Sequence, residues 1–203
     1  PELSVAAGGY GPPRADRRYA TDGPQRYSEI ESHNLQIHYA LAAGYELPWY
    51  HLRLGVTGMV ISQIIDTHLK LNAPLNENPD NPENPDYDID VFANARQDGI
   101  LAATFGASAT PIERVSVSLA YQLPYDANMP GTADITLGPA FEGLATVEGD
   151  DINVRINMPA VLRAAARYDH PEDRFDVELA FVWEGWSRYE RALFETEGIR
   201  VVP

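Results

Sequence analysis

The stretch RFDVELAFVWEGWSRYE, residues 174–190, separates into two registers. Phe175, Val177, Leu179, Phe181 and Trp183 fill one. Asp176, Glu178, Ala180, Val182, Glu184, Trp186, Arg188 and Glu190 fill the other. A period of two with unlike faces predicts a β-strand, and the pattern recurs along the chain. From Glu29, the positions Leu35, Ile37, Tyr39, Leu41, Ala43 and Tyr45 alternate with Ser32, Asn34, Gln36, His38, Ala40 and Ala42. A second strand is expected over His51–Leu71, with Leu52, Leu54, Val56, Gly58 and Val60 on one face. DGILAATFGASAT (98–110) and RVSVSLAYQLPY (114–125) give a third and a fourth. The fifth, DINVRINMPAVLRAAARY (151–168), puts Ile152, Val154, Ile156, Met158, Ala160, Leu162, Ala164, Ala166 and Tyr168 on one side without a change of phase. The 174 run is the sixth.

PAVLRAAARY also has good helix composition. Pro159 and the unbroken alternation favour strand. Glycine and proline break residues 1–28, which read as irregular or as the end of a preceding strand. Residues 29–196 carry the strands, and 197–203 read as a truncated end. ELPWY, TPIER and DHPED are short connections, whereas 73–96 and 138–150 are long. Short and long links therefore alternate, as in an up-and-down antiparallel sheet whose tight turns share one rim.

Strand length sets the environment. Phe175 to Arg191, about 17 residues at about 3.3 Å each, extends roughly 55 Å. Tilted by about 40°, it rises more than the apolar band of about 25 Å on an outer-membrane barrel. Aromatic residues sit near strand ends, among them Tyr45, Trp49, Tyr50, Tyr121, Tyr125, Tyr168, Trp183, Trp186 and Tyr189. Barrels in the outer membrane carry such girdles, and a soluble sheet with aromatics at its rim shares the pattern. Both readings stand on pattern alone.

Composition narrows the function. The chain is 44% hydrophobic, 10% aromatic and 22% charged, as folded proteins are. A net charge of -15 argues against nucleic acid, whose phosphates require basic stripes. The absence of cysteine excludes disulfides, thiolate zinc and cysteine nucleophiles. No Gly-x-Ser-x-Gly elbow or phosphate loop occurs, so no enzyme activity and no cofactor are expected.

The segment INMPAVLRAAARYDHPEDRFDVELAFVWEGWSRYE resembles the outer-membrane transport family typified by the long-chain fatty-acid transporter and the toluene channels. The likeness lies in Met158-Pro159, in Ala165 to Tyr168 at a strand end, in the short turn DHPED, and in Trp183-Glu-Gly-Trp186-Ser187. FGASATPIERVSVSLAYQLPY and YSEIESHNLQIHYALAAGYELPWYHLRLGVTG are similar to other pieces of that family, so the resemblance covers roughly 25–195. It implies an all-β, antiparallel up-and-down transmembrane β-barrel, monomeric and 14-stranded, in the outer membrane of a Gram-negative bacterium. It implies passive uptake of long-chain fatty acids or hydrocarbons, taken from outside, bound in the barrel and released sideways into membrane lipid. The family's hatch and terminal aromatic strand do not occur here, and about six long strands look like the middle of such a barrel. A non-transporting β-protein, either a surface receptor or adhesin or a soluble lipid-binding sheet, is the alternative.

The candidate lumen groups are Arg155, Arg163 and Arg167, on the polar register of the fifth strand, with Trp186 and Arg188 on the sixth. A guanidinium fork suits a fatty carboxylate, and the competing role is an ion pair with Asp176, Glu178 or Glu184. The acidic loop holds Glu77, Asp80, Glu83, Asp86, Asp88 and Asp90. Asp86, Asp88 and Asp90 space oxygens as a calcium ion would use them, although the loop lacks the glycine and final glutamate of an EF-hand. The five histidines have no metal-binding spacing.

Overall fold

The computed structural model describes residues 2–11, 15–74, 84–172, 174–189 and 193–202. They form β1 (Glu2–Tyr10), β2 (Ala15–Arg18), β3 (Glu31–Glu46), β4 (Arg53–Asn72), β5 (Asp88–Ile112), β6 (Val115–Gln122), β7 (Tyr125–Thr136), β8 (Thr146–Glu148), β9 (Asp151–Met158), β10 (Val161–Asp169), β11 (Asp176–Glu184), β12 (Leu193–Glu197) and β13 (Arg200–Val202). Pairing is antiparallel throughout. One sheet runs β1-β3-β4-β5-β6-β10-β11, with β2 beside β3, β7 between β5 and β9, and β12 beside β9; β8 and β13 form a separate pair. The sheet is a barrel segment whose edges do not meet.

Several expected boundaries move. The glycine- and proline-rich start holds two strands, β1 and β2, because β3 offers them a free edge. The long link after β4 is shorter than 73–96, since the strand begins at Asp88, paired to Asn72. The fifth run divides into β9 and β10 at Pro159, and the sixth stops at Glu184, where Gly185 leads into a short 3-10 turn over Trp186–Arg188. The expected short turns do share one rim. Glu113–Arg114 is the tightest and holds Arg114 at φ 67.

Register shows two unlike faces near that rim. One cross-strand row reads Leu3, Tyr45, Leu54, Ala107, Leu119, Ala164, Phe181. The parallel row reads Val5, Ala43, Val56, Phe105, Tyr121, Leu162, Trp183. Neither row contains a charge. Phe175, Val177, Leu179 and Phe181 lie on this face uncovered, Leu179 with 76% of its surface exposed. The row between them on the opposite face reads Ser4, Gly44, Gly55, Gly106, Ala120, Arg163, Val182, a floor of mostly small residues.

Farther from the rim the faces exchange roles along a crease. In the ladder of β4 with β5, Ile61 faces Ile100 but Gln63 faces Gln97, so Ser62 opposes both Asp98 and Gly99. Gly99, at φ 81, makes this bulge at little cost. The extra residue reverses the alternation of β5 relative to β4. Its neighbours match the reversal at Leu123-Pro124, between β6 and β7, and at Pro159-Ala160, between β9 and β10. Proline has no N–H for a ladder, so these are the places where a strand is free to twist over. Beyond the crease Ile152 and Val154 point inward, although Ala164 and Tyr168, in phase with them along the sequence, point outward.

Candidate functional site

The inward apolar residues at and beyond the crease form the buried core: Met59, Ile61, Ala95, Ile100, Tyr125, Ala127, Met129, Ala133, Ile152 and Val154. Ile61 and Met129 have no exposed surface. Burying side chains of this size contributes roughly 1.5–3 kcal/mol each. The amide of Gln36 on β3 donates to the hydroxyl of Tyr125 on β7 at 2.9 Å. Two strands, β4 and β5, lie between them, and a flat sheet would hold β3 and β7 roughly 14 Å apart. The sheet therefore curls toward this face, which is the concave one. The core is an apolar collar on the inside of the barrel segment, just beyond the level where the outward apolar rows end.

Polar side chains are set into the collar. Tyr10 stacks on His38 with ring centroids 4.9 Å apart, and its hydroxyl meets Met59 Sδ at 3.1 Å. His38 Nδ1 and Gln63 Oε1 are buried with no hydrogen-bond partner.

The collar also seals a break in the sheet. β5 pairs with β7 at Ala95–Gly131 and with β6 at Thr104–Gln122. The register is the same at both places, yet 96–103 and 123–130 form no ladder pairs with each other. Leu123 N–H reaches the Ala103 carbonyl, at 2.9 Å, and the side-chain oxygen of Gln97 accepts from Asn128 N–H at 2.6 Å. Ile100, Tyr125, Ala127 and Met129 fill the inner side of this seam.

The expected site residues fall in different places. Arg163 and Arg167 lie on the concave face, toward the tight-turn rim. Arg167 is held by Asp169 at 2.9 Å and Asp176 at 3.4 Å. Arg53, beside it in a recess of about 240 Å³, is held by Glu46 at 3.1 Å. Arg163 makes no hydrogen bond or ion pair among the described residues. Arg155 does not join them: the reversal at Pro159-Ala160 turns it to the outward face, where it binds Asn128 at 3.1 Å and Glu195 at 3.1 Å. Arg188 is likewise outside the lumen, since it grips Asp126 at 3.0 and 2.9 Å on the face opposite Tyr125 and Ala127. Trp186 sits in the 3-10 turn, donates to Glu184 at 2.6 Å and packs edge-on against Tyr189.

Two carboxylates of the acidic stretch, Asp88 and Asp90, are committed to protein cations. Asp88 is buried and receives Tyr27 at 2.9 Å, Asn72 at 3.0 Å and Arg26 at 3.4 Å. Asp90 binds His68 and Lys70. Asp86 stands apart in a short 3-10 turn capped by Asn84. Among the described residues no three His, Asp or Glu are placed to hold a metal ion. Glu77, Asp80 and Glu83 lie outside the described residues.

Neither the alternation nor the composition singles out the collar. Its one trace in the sequence is the set of breakers, Gly99, Pro124 and Pro159, that interrupt three alternating runs at a common level.

The geometry defines a segment of an antiparallel β-barrel with an apolar exterior band and an internal collar. No family model matches the chain, and no curated protein matches it. Among solved structures it is similar to a crystal structure of a Pseudomonas aeruginosa FadL homologue, with a TM-score of 0.77 and 13% sequence identity. The likeness covers 99% of this chain and 50% of that one, so the chain spans about half the length of the protein it matches. At that identity the likeness shows the fold.

Proposed function

We propose that this chain is part of an outer-membrane barrel that passes hydrophobic small molecules, long-chain fatty acids or hydrocarbons, passively and without covalent chemistry. The observation that carries the reading is the exchange of faces at the crease. Toward the tight-turn rim the apolar residues look outward in rows without a charge. A soluble monomer rarely leaves an apolar patch beyond a few hundred Å² in water, and lipid is the solvent that fits an apolar band of this kind. Beyond the crease the outward face turns mostly polar, with Asp66, Asp90 and Asn94, and the apolar core residues turn inward. A molecule approaching from the long-loop side meets water-compatible walls outside and an apolar collar within.

Below the collar the concave face is a trough of small residues that reaches Arg163. In this reading Arg163, the trough's unpaired cation, orients an ionised carboxylate, and the seam between 96–103 and 123–130 is where the wall can yield sideways to lipid. The protein acts as a monomer in the outer membrane of a Gram-negative bacterium, with no nucleic acid partner. The test is uptake of labelled oleate into liposomes holding the intact protein. Uptake above protein-free liposomes supports transport. A protein that assembles in the bilayer and moves no oleate is a display or adhesion barrel instead.

A further inference from the structure

The collar contains a feature that a purely apolar cargo does not explain. His38 is 7% exposed and Gln63 is 4% exposed, and both belong to the concave face. His38 pairs with Ile61 and Gln63 with Gln36 in the ladder of β3 with β4, which makes His38 and Gln63 diagonal neighbours on that face. Side chains in that relation lie within mutual reach. Around them stand Met59, Ile61 and the Tyr10 ring. His38 Nδ1 and Gln63 Oε1 have no partner. A buried polar atom without a hydrogen bond is costly to keep, and apolar residues of similar size at both places would remove the cost. Gln36 and Tyr125, on the same face, do satisfy each other. The orphaned pair is therefore an exception on the concave face; the other buried side-chain atom without a partner among the described residues, Asn153 Oδ1, belongs to the opposite face of β9.

We propose that the collar recognises an O–H group on an otherwise apolar molecule, through His38 Nδ1 and Gln63 Oε1; this rests on the transport reading above. The glutamine oxygen only accepts, so the cargo must donate to it. The imidazole nitrogen donates or accepts according to its tautomer, and a hydroxyl does both. An alkane satisfies neither atom. A carboxylate, which only accepts, leaves the glutamine oxygen unmet and brings a full charge into an apolar collar. The class selected is thus a long-chain alcohol or an un-ionised acid, with the chain lying along Met59, Ile61 and Met129. An acid passing the collar in neutral form would ionise in the open trough, where Arg163 stands.

The test uses the full-length protein in cells without their own hydrophobic uptake channel, supplied with labelled 1-dodecanol and labelled dodecane. Gln63→Leu and His38→Phe are each expected to lower the alcohol-to-alkane uptake ratio about tenfold, the worth of one buried hydrogen bond. Gln63→Leu removes an orphaned oxygen and should leave the barrel as stable as before. An unchanged ratio in both variants overturns the inference and leaves the transport reading standing. Uptake of neither molecule by the unaltered protein overturns both. Should a variant fail to assemble, a 1-dodecanol analogue with a diazirine beside the hydroxyl labels the unaltered protein: label at His38, Gln63 or their contacts is expected, and label confined elsewhere overturns the inference.

Discussion

Gln36 and Tyr125 are separated by two strands of the sheet, yet the amide of one meets the hydroxyl of the other at 2.9 Å. Such a bond exists only if the sheet is curled, so it reports directly on the curvature that creates the collar. Tyr125→Phe leaves the Gln36 amide without its partner and should cost about 1 kcal/mol. Gln36→Leu should cost a similar amount. The double variant should cost less than the two together, because the second change removes a partner that is already lost. Urea unfolding of the assembled protein measures all three, and additive losses would mean that the bond does not hold the curl.

Gly131 faces Ala95 across the ladder of β5 with β7. A Cβ at that position collides with the Asn94 carbonyl oxygen and with Ala95, both on the facing strand. Backbone on a paired strand cannot step aside as a side chain can. Gly131→Ala should therefore destabilise the protein by about 1–3 kcal/mol, seen as a lower urea midpoint. By contrast Gly58→Ala, where a Cβ meets nothing within 4 Å, should be close to neutral.

Leu179 and Ala180 are chain neighbours on opposite faces of β11. If lipid covers the outward band, Leu179→Arg should cost about 2–4 kcal/mol, the penalty of a cation on the lipid face near the midplane. Ala180→Arg, toward the trough, should cost much less. The fraction of protein that assembles in bilayers, read by heat-modifiable mobility on gels, compares the two. Equal assembly would remove the membrane from the account.

Arg155 and Arg163 are eight positions apart and would share a face in an unbroken strand. Because the crease separates them, Arg163→Ala should slow oleate uptake several-fold, as loss of a charge-assisted hydrogen bond does, and Arg155→Ala should not. Equal losses in both variants would place Arg155 in the lumen.

His33 binds Asp16 at 2.9 Å and Glu31 at 2.8 Å, outside the apolar band, and these two carboxylates hold its pKa above the ordinary 6.5. A histidine with a raised folded pKa contributes stability that is complete below its unfolded pKa and is lost as pH rises through the folded one. The attachment of β2 to β3 should therefore loosen with increasing pH above 6.5. Tryptic cleavage at Arg17 and Arg18 should accelerate over that range, and His33→Phe should cleave rapidly at every pH. A rate with no pH dependence beyond that of trypsin itself would sever the link.

The class of fold is legible in the order of residues along the chain. Alternation with a period of two is a local consequence of the pleat, so Val56, Phe105, Tyr121, Leu179 and their neighbours are legible as one face of an antiparallel sheet. The tight turns near 47–52, 113–114 and 170–175 are equally local. Which face each run presents after a break is set by the packing of strand against strand. Ile152 and Tyr168 keep the same phase along the chain, yet one is buried in the collar and the other lies outside. The reversal between them depends on a bulge at Gly99, two strands away, that obliges β7 and β9 to turn with β5. A one-residue change of register inverts a whole strand, and within residues 151–168 Pro159 alone marks the break, without recording that a neighbour has changed register. The placing of Arg155 outside and of His38 and Gln63 inside the collar follows from that non-local constraint.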